Sequence, residues 1–345
     1  MAPPDPILGI VEQFNKDTNP KKVNLCIGVY QDQNGVVPVL KSVKQAEKIW
    51  LEQENTKDYL NMAGDERFGR LVRELVFGTG HPLLQEQRAV TLQTPGGTGA
   101  LRVGADFVHG QMPKATAWIS DPTWPNHRGI FQSAGMAVKS YPYYHAGRHT
   151  VDFERLLDAL EHIPEGDLVV LHACCHNPTG CDPTPEQWDQ IVELFQRRAL
   201  IPFLDLAYQG FGEGLEPDAY AARAFARAGL EVLISTSYSK NFGLYRERVG
   251  ALTLVAADAP EAARVMSRAK LTVRANYSSP PAHGGKIVEI VLADPELKAL
   301  WLKEVRAMCD RIQQMRRLFV DSLKAQGVRQ DFEYIVKQRG MFSFS

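Results

Sequence analysis

The fold of this chain is decided by the stretch Ser235-Thr236-Ser237-Tyr238-Ser239-Lys240-Asn241-Phe242-Gly243-Leu244-Tyr245-Arg246-Glu247-Arg248. It lies between two aliphatic runs, residues 231–234 and 249–255, that are typical of buried strands. Lys240 is therefore expected in a buried loop, where desolvation lowers the pKa of an amine and leaves it able to attack a carbonyl carbon. A lysine in a serine-rich loop is more often an exposed surface cation. The buried flanks and Arg248, eight residues further on, favour a chemical role.

Strands and helices are predicted to alternate on both sides of this stretch. The predicted strands are residues 22–30, 89–94, 115–120, 137–144, 168–173, 200–206, 232–235 and 251–255. The predicted helices are residues 38–56, 100–109, 185–197, 220–228 and 284–326, the last divided at Asp294-Pro295. This alternation indicates a mostly parallel sheet with helices on both faces, whose ligands lie at the carboxyl ends of the strands.

The bulk composition excludes several classes of protein. A length of 345 residues is enough for one large α/β domain and a smaller one. A net charge of −1 favours neither nucleic acids nor membrane surfaces, and no apolar run reaches the length of a membrane span. The proline-rich N-terminus lacks the pattern of a signal peptide, so a cytoplasmic protein is expected. Five cysteines without framework spacing are expected to be reduced, buried thiols rather than disulfides or a zinc site.

A candidate phosphate site combines the hydroxyl donor of Ser237 with the planar guanidinium of Arg248. A glycine-rich loop, residues 95–99, joins a predicted strand to a predicted helix. Around Gly97, backbone N–H groups are free to approach an anion at a helix N-terminus, and Thr98 adds a hydroxyl. A plain strand-to-helix turn is about as frequent an explanation of such a loop.

The same loop permits a rival interpretation. Gly97 and Gly99, with Asp121 about twenty positions further on, imitate the dinucleotide fingerprint of an oxidoreductase. Arg102 occupies the third glycine position, and no second nucleotide-binding half is evident. A nucleotide-dependent oxidoreductase is therefore only a remote alternative.

An acid closes another predicted strand. If Asp205 is buried among its apolar neighbours, it needs a cationic partner, and a protonated pyridine nitrogen is one whose ring then acts as an electron sink. Tyr208 is able to donate a hydrogen bond to a ring oxygen, and so is Asn177, which follows the predicted strand at 168–173. A helix-capping aspartate and a common Asn-Pro turn are the structural alternatives.

Three further side chains complete a pattern. Trp124 offers a flat face for an aromatic ring, although core packing is the commoner role of tryptophan. His127 is expected beside Asp205, and Arg274, placed in an irregular loop at 273–281, is able to recognise a carboxylate if it is not simply a surface residue. A lysine for a Schiff base, an acid for a ring nitrogen, donors for a ring oxygen, a stacking aromatic and a phosphate cup are together what pyridoxal 5′-phosphate requires.

Five motifs also carry a resemblance to a known family. They are Gly-Gly-Thr-Gly-Ala-Leu-Arg (96–102), Cys-Cys-His-Asn-Pro-Thr-Gly (174–180), Asp-x-Ala-Tyr-Gln-Gly-Phe (205–211), Ser-Tyr-Ser-Lys-Asn-Phe-Gly-Leu-Tyr-x-Glu-Arg-Val-Gly (237–250) and Tyr-Ser-Ser-Pro-Pro-Ala-His-Gly (277–284). In this order along essentially the whole chain, they resemble the class I aspartate/aromatic aminotransferases of bacterial type. The resemblance implies the type I pyridoxal-phosphate fold, a mostly parallel sheet covered by helices plus a smaller α/β domain. It also implies a homodimer with shared active sites.

The resemblance implies a role for each residue that matches a family motif. Lys240 resembles the lysine that forms the Schiff base and moves the proton. Asp205 resembles the acid that pairs with the pyridine nitrogen, Tyr208 the donor to the ring oxygen, and Asn177 its companion. Trp124 resembles the residue that stacks on the ring.

The remaining implied roles concern the phosphate, the substrate and the surroundings of the acid. His127 is implied behind Asp205, and the phosphate cup is implied to contain Gly97, Thr98, Ser237 and Arg248. Tyr59 resembles the tyrosine that reaches the phosphate of the other subunit. Arg274 resembles the arginine that crosses the interface to the side-chain carboxylate of a dicarboxylic substrate. Gly28 matches the family's mobile N-terminal segment and is a candidate substrate contact.

The domain organisation implied by the resemblance has three parts. Residues 1–37 correspond to an N-terminal arm with a small-domain segment, 38–305 to a large cofactor-binding domain, and 306–345 to the start of a small C-terminal domain. The family's arginine for the substrate α-carboxylate comes beyond Ser345. We therefore expect the 345-residue polypeptide to bind the cofactor poorly, to fold marginally and to transaminate weakly.

The implied activity is a ping-pong transfer of the amino group of aspartate to 2-oxoglutarate, giving oxaloacetate and glutamate. Arg274 favours dicarboxylic substrates, yet some family members keep this arginine and also accept tyrosine and phenylalanine. An enzyme acting mainly on aromatic amino acids therefore remains open, as does a non-catalytic protein that binds the cofactor.

Overall fold

The computed structural model describes residues 8–23 and 28–342. Contacts divide the chain into two compact units, Met1–Pro38 and Val39–Ser345. In the first unit, helix α1 spans Leu8–Lys16. The strand predicted at 22–30 falls partly on residues 24–27, which lie outside the described residues, and the flanking residues have no regular secondary structure.

The second unit contains the alternating helices and strands. Its strands are β1 Ala89–Pro95, β2 Thr116–Asp121, β3 Ala137–Pro142, β4 Tyr144–His145, β5 Thr150–Val151, β6 Leu168–His172, β7 Ile201–Leu206, β8 Val232–Ser237 and β9 Val249–Val255. Its helices are α2 Lys41–Gln53, α3 Glu66–Phe77, α4 Pro82–Gln85, α5 Gly96–Gln111, α6 Asn126–Ser133, α7 Phe153–Glu161, α8 Pro185–Arg197, α9 Leu215–Asp218, α10 Tyr220–Arg227, α11 Ala259–Asn276, α12 Ala282–Ala293, α13 Pro295–Ala325 and α14 Tyr334–Lys337. In the part of the chain that the structure describes, no helix has the length and apolar composition needed to cross a bilayer.

Seven of the described strands form one sheet in the order β1-β9-β8-β7-β6-β2-β3. Neighbours pair in parallel except β9, which runs antiparallel to both β1 and β8. Strands β6, β8 and β9 are buried along their whole length, which explains why the aliphatic residues of β6 and of the first half of β8 do not alternate with polar ones. The prediction of a mostly parallel α/β sheet is confirmed.

Register brings the chemistry-bearing residues to one edge of this sheet. His172 of β6 lies opposite Asp205 of β7, and Asp205 lies opposite Ser235 of β8. Ser237, at the end of β8, lies opposite Gly250 at the start of β9. The carboxyl ends of the parallel strands and the amino end of β9 therefore share the edge where α/β sheets bind ligands.

Helix starts follow local capping signals. Thr184 and Gln187 form a capping box with Pro185 in the first turn of α8. Asp294 accepts hydrogen bonds from the amides of Glu296 and Leu297 and begins α13. The predicted division at Asp294-Pro295 is confirmed because a cap residue followed by proline ends one helix and starts the next.

Two local predictions are wrong. Helix α5 begins at Gly96 rather than Ala100, so the glycine-rich loop is itself the first helical turn. Arg274 lies in the last turn of α11 rather than in an irregular loop, because the helix continues to Asn276.

The cysteines that the structure describes are free thiols. Cys174, Cys175 and Cys309 are buried and Cys181 is half-buried, while Cys26 lies outside the described residues. Burial raises the pKa of Cys309, which keeps it a protonated thiol at neutral pH.

The long helix α13 supports the loop that carries Lys240. Its Trp301 is fully buried, and the indole Nε1 donates to the carbonyl oxygen of Asn241 at 2.8 Å. The same ring stacks on Phe242 with 4.5 Å between centroids. Further along the helix exposed and buried residues are mixed: Phe319 is 50% exposed, whereas Val320 is fully buried and Arg316 is 7% exposed. Both halves of α13 therefore contribute buried residues.

Replacing Trp301 with alanine is expected to lower the free energy of unfolding by about 3–5 kcal/mol, because the change removes a buried aromatic ring and leaves a cavity. Urea unfolding followed by circular dichroism measures it. The matched control is Leu302→Ala, which removes a half-exposed side chain from the same helix and is expected to cost about 1 kcal/mol or less. Equal losses of unfolding free energy in the two variants would contradict a stabilising role for Trp301.

Candidate active site

Lys240 lies in the loop between β8 and β9, with its Nζ 4.6 Å from the centre of the Tyr208 ring. Burial lowers the pKa of Lys240 and nearby Arg248 lowers it further, while the charge of Asp205 acts in the opposite direction. A larger fraction of this amine is therefore neutral than for a surface lysine at the same pH. That is the property a nucleophilic or basic lysine needs.

Asp205 is 6% exposed near the end of β7, and its Oδ2 lies 3.0 Å from Nε2 of the fully buried His127. Burial alone would raise the pKa of Asp205. The hydrogen bond that His127 donates, helped by the nearby Lys240, outweighs burial and holds this pKa below its usual value. The carboxylate therefore stays ionised and is available to a cationic partner.

A chain of hydrogen bonds extends behind this carboxylate. The Thr123 hydroxyl lies 2.8 Å from His127 Nδ1 and 3.1 Å from His172 Nε2. The backbone N–H of Asn177 donates to His172 Nδ1 at 3.5 Å. Burial, followed by the neighbouring histidines, holds the pKa of His172 well below its usual value, so it is neutral. With Nε2 protonated on both histidines, every donor has an acceptor: Asn177 donates to His172, His172 to Thr123, Thr123 to His127, and His127 to Asp205.

Sequence reasoning missed Thr123 and His172 as parts of the site. One signal was available, since a histidine at the end of an otherwise aliphatic strand is a polar group that needs buried partners. Those partners could not be identified without the register of β6 against β7.

Tyr208 is 5% exposed, and burial, followed by the charge of Asp205, raises its pKa. Its phenol is therefore protonated and able to donate. The side chain of Asn177 forms a hydrogen bond with it. Tyr208 and Asn177 thus present a donor and an amide next to Lys240.

An anion cradle lies where the N-terminus of α5 meets β8 and β9. The ideal Cβ position of Gly97 is 3.1 Å from Cβ of Ser237, so even a methyl group there would crowd the Ser237 side chain. Gly96 has a φ of +73°, and a Cβ there would meet the Arg248 guanidinium. The helix has no side-chain N-cap, which leaves its first amides, including that of Thr98, directed at this space.

Arg248 completes the cradle. It adopts a φ of +53°, and its Nη1 donates to Ser239 Oγ at 3.2 Å and to the Tyr245 carbonyl oxygen at 2.9 Å. These bonds use one side of the guanidinium, while Nη2 faces Gly96. Hydroxyls, helix amides and a planar cation around space that glycines keep open fit a phosphate group. The donor set, with the ionised Asp205 and the partly neutral Lys240, fits pyridoxal 5′-phosphate.

The other predicted residues are placed as follows. Trp124 is half-buried, and its ring lies edge-on to His127 with 5.4 Å between centroids. Tyr59 is 91% exposed on the loop between α2 and α3. Arg274 is exposed at the end of α11 and bonds to the Ser278 hydroxyl. Gly28 belongs to the first compact unit and has no regular secondary structure. Tyr59 and Arg274 therefore present their side chains to solvent within this chain.

Comparisons with known proteins agree with this geometry. The family model described as "Aminotransferase class I and II" matches residues 20–345. This chain belongs to that family. The aspartate aminotransferase of Escherichia coli (strain K12) is 52% identical over 344 residues, covering 100% of this chain and 87% of that protein. The aromatic-amino-acid aminotransferase of the same organism is 48% identical over 342 residues, covering 99% and 86%.

A solved aminotransferase structure has the same fold. It is the aromatic-amino-acid aminotransferase from Burkholderia pseudomallei covalently bound to pyridoxal phosphate, with a TM-score of 0.98 and 52% identity. The alignment covers 100% of this chain and 86% of that one. The type I aminotransferase fold is confirmed. Because the family model spans both Gly97 and Asp121, the dinucleotide interpretation of that loop has no support.

The lowered pKa of Lys240 has a consequence for stability. Below the folded-state pKa the buried ammonium destabilises the folded protein, and this cost disappears as the pH rises through the ordinary lysine pKa of about 10.4. Lys240→Met is therefore expected to raise the free energy of unfolding of the cofactor-free protein at pH 7, by an amount that shrinks towards pH 10.

Chemical unfolding at several pH values measures this difference. Lys303→Met, which removes an exposed lysine from α13, is the control and is expected to show no such trend. A gain that is constant between pH 7 and pH 10, or a loss at pH 7, would contradict a desolvated Lys240.

Proposed function

We propose that this protein is a pyridoxal-phosphate-dependent aminotransferase that moves the amino group of aspartate to 2-oxoglutarate, giving oxaloacetate and glutamate. The observation that carries the proposal is the buried Lys240 amine, set over the Tyr208 ring and facing the ionised Asp205 at the carboxyl edge of the sheet. Family membership and aspartate aminotransferases at about 50% identity support it.

The residues of the site divide the work of holding the cofactor. Asp205 would pair with the ring nitrogen, and Tyr208 and Asn177 would contact the ring oxygen. Trp124 would stack on the ring, with His127 behind the acid. The phosphate would bind in the cradle of Gly97, Thr98, Ser237 and Arg248. When bound, the cofactor supplies an electron sink that stabilises negative charge at the substrate α-carbon.

The chain itself supplies the proton transfer. Nζ of Lys240 takes the proton from the α-carbon of the amino acid, which requires a neutral amine, and the resulting ammonium returns a proton. Burial promotes the first step by lowering the pKa of Lys240, and the nearby Asp205 carboxylate stabilises the ammonium that forms. Tyr208 keeps its phenolic proton and would orient the cofactor by donating a hydrogen bond to its ring oxygen.

Substrate recognition is proposed to need a second copy of this chain. The exposed positions of Tyr59 and Arg274 suit a homodimer in which Tyr59 contacts the partner's phosphate and Arg274 the side-chain carboxylate of the partner's substrate. Gly28 is proposed as a further substrate contact. We also propose a cytoplasmic protein with an N-terminal arm (1–37), a large domain (38–305) and the start of a small domain (306–345).

A second candidate substrate class is the aromatic amino acids. Relatives named tyrosine and aromatic-amino-acid aminotransferase are 48% identical to this chain, and a solved aromatic-amino-acid aminotransferase is 52% identical. A substrate profile that includes phenylalanine and tyrosine is therefore compatible with the same site.

The first test is the absorbance spectrum of the purified protein with added pyridoxal phosphate. We expect a visible band that is absent in Lys240→Ala, because this lysine would bind the aldehyde carbon of the cofactor. The band should be lost when aspartate is added, because aspartate would give its amino group to that carbon, leaving oxaloacetate and the amine form of the cofactor. A band that persists in Lys240→Ala, or the complete absence of a band from the unaltered protein, would contradict the proposal.

Replacing Arg274 with leucine is expected to lower kcat/KM for aspartate by about 100-fold and to leave phenylalanine almost unchanged, because only a dicarboxylic substrate needs a second guanidinium. Steady-state rates with both amino acids measure the ratio. Arg268→Leu, an exposed arginine on the same helix, is the control. Equal losses for aspartate and phenylalanine would show that Arg274 does not select the side chain.

A further inference from the structure

Gln93 is a polar residue in the middle of a buried strand, and the site described above does not use it. It lies in β1 and is 2% exposed. A buried amide must satisfy both its donor and its acceptor. The partners of Gln93 are on two loops far apart in the sequence, which makes it a link between them.

The first loop is the one that follows Tyr59. The backbone amide of Gln93 donates to the Ala63 carbonyl oxygen at 2.9 Å, and its side-chain Oε1 accepts from the Asp65 amide at 3.3 Å. A Cβ on Gly64, which has a φ of +85°, would collide with the Gln93 side chain. The turn at 61–65 therefore packs against Gln93 and is bonded to it through both Ala63 and Asp65.

The second loop is the one that follows Arg274. Side-chain Nε2 of Gln93 donates to the Pro281 carbonyl oxygen at 2.8 Å, and the backbone carbonyl of Gln93 accepts from the Tyr277 hydroxyl at 3.2 Å. A Cβ on Gly285 would again meet the Gln93 amide. Residues 277–281 are thus bonded to the same glutamine as the first loop.

Only an amide satisfies this arrangement. The side chain faces a backbone N–H on one loop and a backbone C=O on the other, so one end must accept and the other must donate. The two partners also determine which end is oxygen and which is nitrogen. A carboxylate would face the Pro281 carbonyl oxygen, and an apolar side chain would leave both backbone groups without this partner.

Further contacts reinforce the two loops. Lys286 Nζ lies 2.9 Å from Asp65 Oδ2, which joins α12 to the start of α3. Asn276, at the end of α11, donates to Asp106 Oδ2 at 2.7 Å. The backbone that follows Arg274 and the backbone that follows Tyr59 are therefore anchored to the sheet and to its covering helices.

We propose that Gln93 is a positioning residue. It holds the loop that follows Tyr59 and the loop that follows Arg274 in a fixed position relative to each other. This inference rests on the proposed function, in which Tyr59 contacts a cofactor phosphate and Arg274 a substrate carboxylate. Because both loops bond to one amide, the affinity for the cofactor and the preference for dicarboxylic substrates depend on the same residue. A displacement of about 1 Å at either side chain is enough to weaken such contacts severely.

The test compares Gln93→Met with Thr91→Val. Thr91 is two residues away in the same strand, is also buried, and its hydroxyl bonds to that of Thr253, on β9, at 2.9 Å. For Gln93→Met we expect the dissociation constant of pyridoxal phosphate to rise, and the ratio of kcat/KM for aspartate over phenylalanine to fall, each by about tenfold. Thr91→Val is expected to change neither by more than about twofold.

Tyr277→Phe separates the two loops and keeps the test decisive if Gln93→Met does not fold. It removes only the bond between the Tyr277 hydroxyl and the Gln93 carbonyl oxygen. We expect the aspartate preference to fall while the dissociation constant of the cofactor stays unchanged.

The outcomes distinguish this inference from the proposed function. If Gln93→Met matches Thr91→Val in both quantities, or Tyr277→Phe leaves the substrate ratio unchanged, the positioning role is overturned while the aminotransferase activity stands. If the unaltered protein neither binds the cofactor nor turns over either amino acid, the proposed function fails and this inference fails with it.

Discussion

A carboxylate that is almost completely removed from water must be compensated, and in this protein that carboxylate is Asp205. The compensation comes from His127, which is itself held by the Thr123 hydroxyl. Groups from the loop after β2, from α6 and from β6 are therefore needed to keep the acid on β7 ionised. Because a lone carboxylate at this depth would instead take up a proton, the electrostatic character of the site depends on β2, β6 and β7 lying side by side.

The direction of β9 is the second constraint on the site. Because β9 runs antiparallel to β8, the chain that leaves β8 with Lys240 returns to the same edge of the sheet with Arg248. Gly250 then packs directly on the backbone of Gly96, where a side chain would have no room. One change of strand direction thus places the amine, the guanidinium and the amino end of α5 around a single space.

Much of this arrangement could be predicted from the sequence, for identifiable reasons. Buried strands such as β6 are aliphatic up to their last residue, and the start of α13 is signalled by Asp294 before Pro295. The helical start at Gly96 could not be predicted, because Gly-Gly-Thr-Gly opposes helix formation locally and only packing against β9 overrides that preference. The hydrogen bonds through Thr123 and His172 could not be predicted either, because they depend on strand register. The same holds for the role of Gln93, whose partners lie 28 and 188 positions away.

Arg248 shows how narrow the choice of residue at one position becomes. Its left-handed backbone costs an ordinary residue about 1–2 kcal/mol, a penalty that glycine avoids. Glycine has no guanidinium, and asparagine, which tolerates the backbone, has no charge. Lysine keeps the charge but lacks the planar fork and would meet the same steric penalty. No single substitution at this position therefore improves both properties: each one that relaxes the backbone removes the cation, and each one that keeps the cation keeps the strain.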